Sequence, residues 1–351
     1  MTWWNASWGY RKKVTLKCAT YVVHRTDTDH VILVQQVAAD SDFWGHVAAT
    51  GADVRFVAAD DTTELKFYFQ RFDNTNDLMD AQVLVTDRFE PAVDIDLYMY
   101  YGNAGASDAQ DAANTLTNYL AVYHCDEGTG TAVSDKKGAY NATASNSAIW
   151  DTSTQKLGIA GLNPATAYYA YQDTLLDTPP ANLSIGFWFN PTGATNKYIL
   201  DKWNTSGETD YLQITTAASN TTIHVDAKGG GITSSITTTT TMSSGTWYHG
   251  ILAWSTSLGL NLYLNGVWEA GDAAATSLMG PVSYYDFTIG AYHGGGYICN
   301  GKIDEFKVMS IGLTEDDAQV LYRSENGDLQ TYAAEESAPA AGQFMTGKKY
   351  W

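Results

Sequence analysis

The chain of 351 residues is long enough for two or three domains, and its 13% aromatic content, with 23 Tyr, 11 Trp and 31 Gly against 17% charged residues, favours β-rich architecture over helix. The formal net charge is −19 and both portions are acidic, with 9 basic against 17 acidic residues in 1–118 and 11 against 22 in 119–351, so no basic stripe is present to follow phosphates. Nucleic acid and anionic membrane are thereby poor partners, while divalent cations and neutral or cationic surfaces stay open. Three cysteines, Cys18, Cys125 and Cys299, have no metal spacing and form no disulfide framework; they read as free, buried thiols.

The N-terminus carries Trp3, Trp4, Trp8 and Tyr10 without a basic region followed by an apolar one, and no span reaches about 20 apolar residues. The expectation is a chain without a cleavable export signal. Short strands then follow: Arg11 to Lys17, Val31 to Val37, Val54 to Val57 and Leu65 to Phe69, between Asp and Gly turns. In Asp94 to Tyr101, Ile95, Leu97, Met99 and Tyr101 share one face, expected as core. Asp94, Asp96, Tyr98 and Tyr100 share the other, expected to be wet.

Three strings, Trp8-Gly9-Tyr10-Arg11, Asp53-Val54-Arg55-Phe56 and Tyr100-Tyr101-Gly102-Asn103, resemble the family catalogued as domain of unknown function 2341. The resemblance implies a β-sandwich over residues 1–112 and no known chemistry. Residues 103–118 read as a short connecting segment with a helical turn through Ala109 to Asn114, the connector between the domains being 113–118.

From Tyr119 a second domain begins. Ala121-Val122-Tyr123-His124-Cys125-Asp126-Glu127-Gly128, Leu183 to Phe189, Trp247 to Trp254, Leu260 to Gly266 and Gly301 to Val308 are similar to the strands of laminin-G-like, concanavalin A-like sandwiches. Asn265-Gly266 is a two-residue hairpin signal. Thr314-Glu315-Asp316-Asp317 opens a short helix that packs back through Ala318, Leu321 and Tyr322. The expected fold class is all-β, two jelly-roll-like β-sandwich domains in tandem, over 1–112 and 119–332, with a C-terminal tail at 333–351. Under the resemblance the strands carrying Cys125 and Cys299 lie near each other, so a bridge is conceivable, though free thiols are favoured.

Glycan hydrolysis needs two carboxylates about 5–9 Å apart across a cleft. The string Glu208-Thr209-Asp210 lacks a third acid, and Asp304 and Glu305 are adjacent on a strand and so expected to face opposite ways. No catalytic residues are assigned and the chain reads as a non-enzyme, a glycoside hydrolase being the remote alternative. The histidines, His124, His249 and His293 among them, show no ligand spacing and read as strand or loop residues.

The laminin-G-like resemblance points to Asp126, Asp135 and Asp304 as ligands of a structural Ca2+, against the blander reading of turn-capping or solvated acids. Glycan binding calls for aromatic rings beside polar groups. The loop candidates are Tyr169, Tyr171 (with Tyr168), Trp203, Tyr292, His293 and Tyr297, the last three in a Gly-rich loop; core or interface packing is the alternative for each. Trp3, Trp4, Phe344, Tyr350 and Trp351 are candidates for an assembly interface, because large rings are costly to leave in water. Together with the missing export signal, these imply a virion protein, a capsid decoration, head-fibre or tail-fibre subunit. Its expected partners are other virion proteins, further copies of itself and host-surface glycans. The alternative is an independent soluble or cell-surface carbohydrate-binding protein.

Overall fold

The computed structural model describes residues 3–24, 29–164, 168–193, 197–280 and 282–339. The chain divides into two compact units, residues 1–115 with 323–351, and residues 116–322.

Among the described residues of the first unit, one sheet runs in the order Gln330–Tyr332, Tyr10–Leu16, Ile95–Tyr101, Arg55–Ala58, Glu64–Leu65, and Glu336–Ser337 also pairs with Tyr10–Leu16. A second sheet runs His30–Gln36, Leu78–Val85, Phe67–Asp73. The expected period of two is present: Val14, Leu16, Leu97 and Met99 are buried, with Val14 opposite Leu97 and Leu16 opposite Ile95. The expected tail differs. Lys17 N–H donates to Leu329 O, and Arg11 lies opposite Glu336, so residues 329–337 complete this sheet instead of trailing from the second domain.

The face expected to be wet is dry at Tyr100, which is fully buried. Trp3 and Trp4 fold back onto it, with ring centroids 5.2 and 5.6 Å from that of Tyr100, and Trp8 lies 4.9 Å from Trp4. Both indoles are half-buried in their own unit. The physical reason is local: the nearest apolar surface for a ring beside this strand is the Tyr98–Tyr100 face itself. The Arg11 guanidinium is sealed beneath them, 4.2 Å over the Tyr98 ring, and donates to Asp61 and Tyr100 Oη at 2.8 Å each and to Glu336.

The three strings that carry the first resemblance converge. Asp53 Oδ2 accepts from Gly102 N–H and Asn103 N–H at 2.7 and 3.0 Å, its Oδ1 accepts from Ala48 N–H, and its carbonyl accepts from Trp8 Nε1 at 2.6 Å. Arg55 lies 5.3 Å over the Trp8 ring. These residues tie three strands at one end of the sheet, which is a structural role.

The described residues of the second unit form two eight-stranded sheets. The front sheet runs Ile232–Thr237, Thr222–Gly229, Tyr211–Ala217, Tyr198–Trp203, Phe287–Ile289, Ala170–Gln172, Ala142–Ala144, Ala132–Val133. The back sheet runs Trp150–Asp151, Gly161–Leu162, Gly301–Met309, Asn182–Pro191, Tyr248–Ser255, Gly259–Leu264, Val267–Asp272, and Tyr119–Tyr123 pairs with Gly301–Met309. Between them lies one apolar core, to which Leu200, Leu212 and Val225 contribute from the front and Phe187, Leu252 and Phe306 from the back. Each such side chain contributes about 1.5–3 kcal/mol by leaving water. Asn265 and Gly266 turn the expected hairpin, both with positive φ (51° and 78°). Thr314 caps the helix Glu315–Asn326, its Oγ1 accepting from Asp317 N–H while Asp317 Oδ2 accepts from Thr314 N–H. Ala318 is fully buried, and Tyr322 lies 5.9 Å from Trp188.

Candidate functional site

The outward face of the front sheet is set by alternation. In Tyr211-Leu212-Gln213-Ile214-Thr215 the aliphatic residues enter the core and the other three point away from it. Register carries the pattern sideways: Trp203 lies opposite Tyr211 and Asp201 opposite Gln213, and on the other flank Gln213 lies opposite Asp226 and Thr215 opposite His224. Tyr171 joins the same row through Thr288, which pairs with both Tyr171 and Asp201.

Aromatic rings are concentrated here. Trp203 stacks on Tyr211 at 4.6 Å with planes 7° apart, and Tyr292 lies 6.1 Å from Trp203 and 5.1 Å from Tyr198. His293 stacks on Tyr285 at 4.2 Å, and Tyr297 lies 6.0 Å from Tyr198. Tyr297 is 64% exposed and Tyr285 43%, so rings remain open to a ligand at this edge. A cleft of about 210 Å3 beside them is lined by Lys197, Tyr198, Thr215, Thr216, Ala217 and His224.

Asp201 anchors the arrangement. It is fully buried, Oδ2 accepts from His293 N–H at 3.1 Å and lies 2.7 Å from His293 Nδ1, and Oδ1 accepts from Gln213 Nε2 at 2.6 Å. Burial raises its carboxyl above the usual range against the opposing effect of those hydrogen bonds. Burial, with the Asp201 charge adding to it, pushes the Tyr198 phenol up to about 12. Asp226 is the counterpart: its hydrogen bond with His224 Nε2, 2.9 Å, lowers the carboxyl and raises the imidazole.

All six sequence candidates for glycan contact therefore sit on or beside one face. Tyr171, Trp203, Tyr292, His293 and Tyr297 belong to the row just described. Tyr169, 6.0 Å from Tyr171, packs beneath Gly295, where an added Cβ would meet its ring at 2.7 Å. Sequence reasoning missed Tyr198, Tyr211, Tyr285, Asp201, Gln213 and His224. The alternation of Tyr211 to Thr215 is the signal that marks Tyr211 and Gln213 as outward, whereas nothing local joins Asp201 to His293. Phe344, Tyr350 and Trp351 lie outside the described residues.

The carboxylates read as calcium ligands accept backbone N–H groups. Asp135 accepts four backbone N–H groups, those of Val122, Lys137, Ala139 and Tyr140, each at 2.9 Å. Asp304 accepts from Lys156, Leu157 and Glu305 N–H, and Asp126 from Ile159 N–H. Among the described residues no group of three or more His, Cys, Asp or Glu is placed to hold a metal ion.

The expectation that Asp304 and Glu305 face opposite ways is corrected by a β-bulge. Glu305 has φ 50°, and the register with Asn182–Pro191 slips between Gly186 and Trp188. Both acids are buried, and burial with the neighbouring Glu305 charge holds the Asp304 carboxyl well above the usual range. Neither is open to substrate. Asp210, from the acid string near Trp203, is buried and accepts from Gly280 N–H. All three cysteines are free and buried.

Residues 163–319 match the family model described as the concanavalin A-like lectin/glucanases superfamily. The second unit carries a concanavalin A-like domain. Residues 50–153 match the domain of unknown function DUF2341, a span that begins later than the sequence resemblance and continues past Thr115 into the second unit. No curated protein matches the chain.

Among solved structures the chain is similar to domain 4 of AbnA, an extracellular arabinanase of Geobacillus stearothermophilus solved with arabinotriose. The two are 18% identical, with 57% of this chain and 97% of that domain covered and a TM-score of 0.46. It is similar also to the botulinum neurotoxin serotype D ligand-binding domain solved with N-acetylneuraminic acid (13% identity, 61% and 52% coverage, TM-score 0.44). A third is the Trypanosoma rangeli sialidase (10%, 71% and 42%, TM-score 0.44). The chain thus spans nearly all of the first but only about half or less of the other two.

Proposed function

We propose that the concanavalin A-like domain binds carbohydrate on the outward face of its front sheet and performs no chemistry on it. The observation that carries this reading is the row of Tyr171, Trp203, Tyr211, Tyr292, Tyr198 and Tyr297 on one face. Ring faces take the apolar faces of sugars, and interleaved polar groups such as Gln213 and His224 fix orientation through hydroxyls. The non-enzymatic part rests on Asp201, which is fully buried and committed to His293 and Gln213. It does not present a proton to a glycosidic oxygen across a cleft.

The test is a glycan array probed with the full chain, followed by calorimetric titration of the best ligand. Trp203→Ala and Tyr292→Ala are each expected to weaken binding at least about tenfold, roughly 1.4 kcal/mol, with the melting temperature kept. Prolonged incubation with the bound oligosaccharide is expected to release no new reducing ends. An array without hits, or affinity unchanged in both variants, overturns the assignment.

A further inference from the structure

The first unit holds a cavity of about 480 Å3, open to solvent and lined among others by Lys12, Gln36, Val37, Asp40, Asp42 and Tyr332. That volume falls within the range of about 300–1,000 Å3 typical of small-molecule sites. Its polar groups are unusually under-used. Lys12 is only 6% exposed, yet its ammonium has one partner among the described residues, Asp40 Oδ1. Gln36 is 4% exposed, and its Nε2 is buried with no hydrogen-bond partner. Asp40 spends Oδ1 on Lys12 and on Phe43 N–H, and its Oδ2 joins no hydrogen bond among the described residues. A buried donor left unmet costs about 1–3 kcal/mol, so these groups point to something that meets them.

The mixture narrows the chemistry. An anion gains from Lys12 but meets Asp40 and Asp42, a cation meets Lys12, and an apolar molecule leaves every donor unmet. Hydroxyl groups both accept, from Lys12 and Gln36, and donate, to Asp40 and Asp42. The Tyr332 ring and the Val37 side chain offer apolar wall, 37% and 52% exposed.

We propose that this cavity is a binding site for a single neutral sugar ring, separate from the aromatic face of the other unit and standing whether or not that face binds glycan.

Saturation-transfer difference NMR on the full chain tests it, with D-glucose, D-galactose, L-arabinose and N-acetyl-D-glucosamine at millimolar concentration. A Trp203→Ala background removes the proposed front-sheet site, so failure of one reading is not mistaken for failure of the other. At least one sugar is expected to show transfer, reduced about tenfold by Gln36→Leu and by Val37→Glu at the mouth. Val37 is 52% exposed, so that variant is expected to fold and decides the matter if Gln36→Leu does not fold. Absence of transfer from all four sugars, or transfer that survives Val37→Glu, overturns the proposal.

Discussion

Glu305 shows how a single residue can hold a buried charge in a strained backbone. Its carboxylate is fully buried, with Oε2 2.9 Å from His124 Nδ1 and 3.0 Å from Lys307 Nζ. Burial alone pushes the carboxyl up; the charges and hydrogen bonds of His124 and Lys307 outweigh it and bring it down to about 2. Because the folded value lies below the ordinary 4.5, the stabilisation is complete above that pH and is lost as pH falls towards about 2. Glu305→Gln is expected to cost about 3–5 kcal/mol at neutral pH, since it takes the carboxylate away from the buried Lys307 ammonium. Urea unfolding of both proteins from pH 7 down to pH 2.5 measures it, and the difference should shrink across the acid range. A constant difference would mean that shape, not charge, is the source.

At the scale of elements, the hairpin at Asn265-Gly266 and the helix from Glu315 were legible because each is written in adjacent residues, a positive-φ pair and a Thr-x-x-Asp cap. Gly266 has φ 78°, and an added Cβ would also meet Gln319 Cα at 2.9 Å. Gly266→Ala is therefore expected to destabilise the second unit by about 1–2 kcal/mol or more, read as a lower midpoint in a thermal melt followed by tryptophan fluorescence. A midpoint at the wild-type value would contradict the turn described. The strand Ile95–Tyr101 was equally legible as alternation, but its second face was not. That face is dry at Tyr100, where Trp3, Trp4 and Arg11 cover it, while Asp94, Asp96 and Tyr98 stay partly exposed; local period says nothing about what lands on a face. The bulge at Glu305 was hidden for a related reason: it exists only relative to the register of Asn182–Pro191.

At the scale of the molecule, a net charge of −19 gives a prediction about the proposed glycan face. If stacking and neutral hydrogen bonds hold the ligand, affinity should change less than about twofold between 50 and 500 mM NaCl, because screening acts on charge pairs and not on ring contacts. Calorimetry at the two salt concentrations checks this; a steep fall would assign the binding to Lys197 and the histidines instead.

Length, composition and alternation by themselves determined that this chain is β-rich and long enough for more than one unit, while the concanavalin A-like character of the second came from the resemblance of its strand strings. These follow from short-range facts, since a period of two, a turn pair and a ring count are read within a few residues. Only the tertiary structure decided that residues 329–337 return to the first sheet, that Asp126, Asp135 and Asp304 hold loops, and that Asp201 meets His293 across 92 positions of sequence. Pairing across such distances depends on which edges and faces remain uncovered once the core has closed, and no local pattern encodes that.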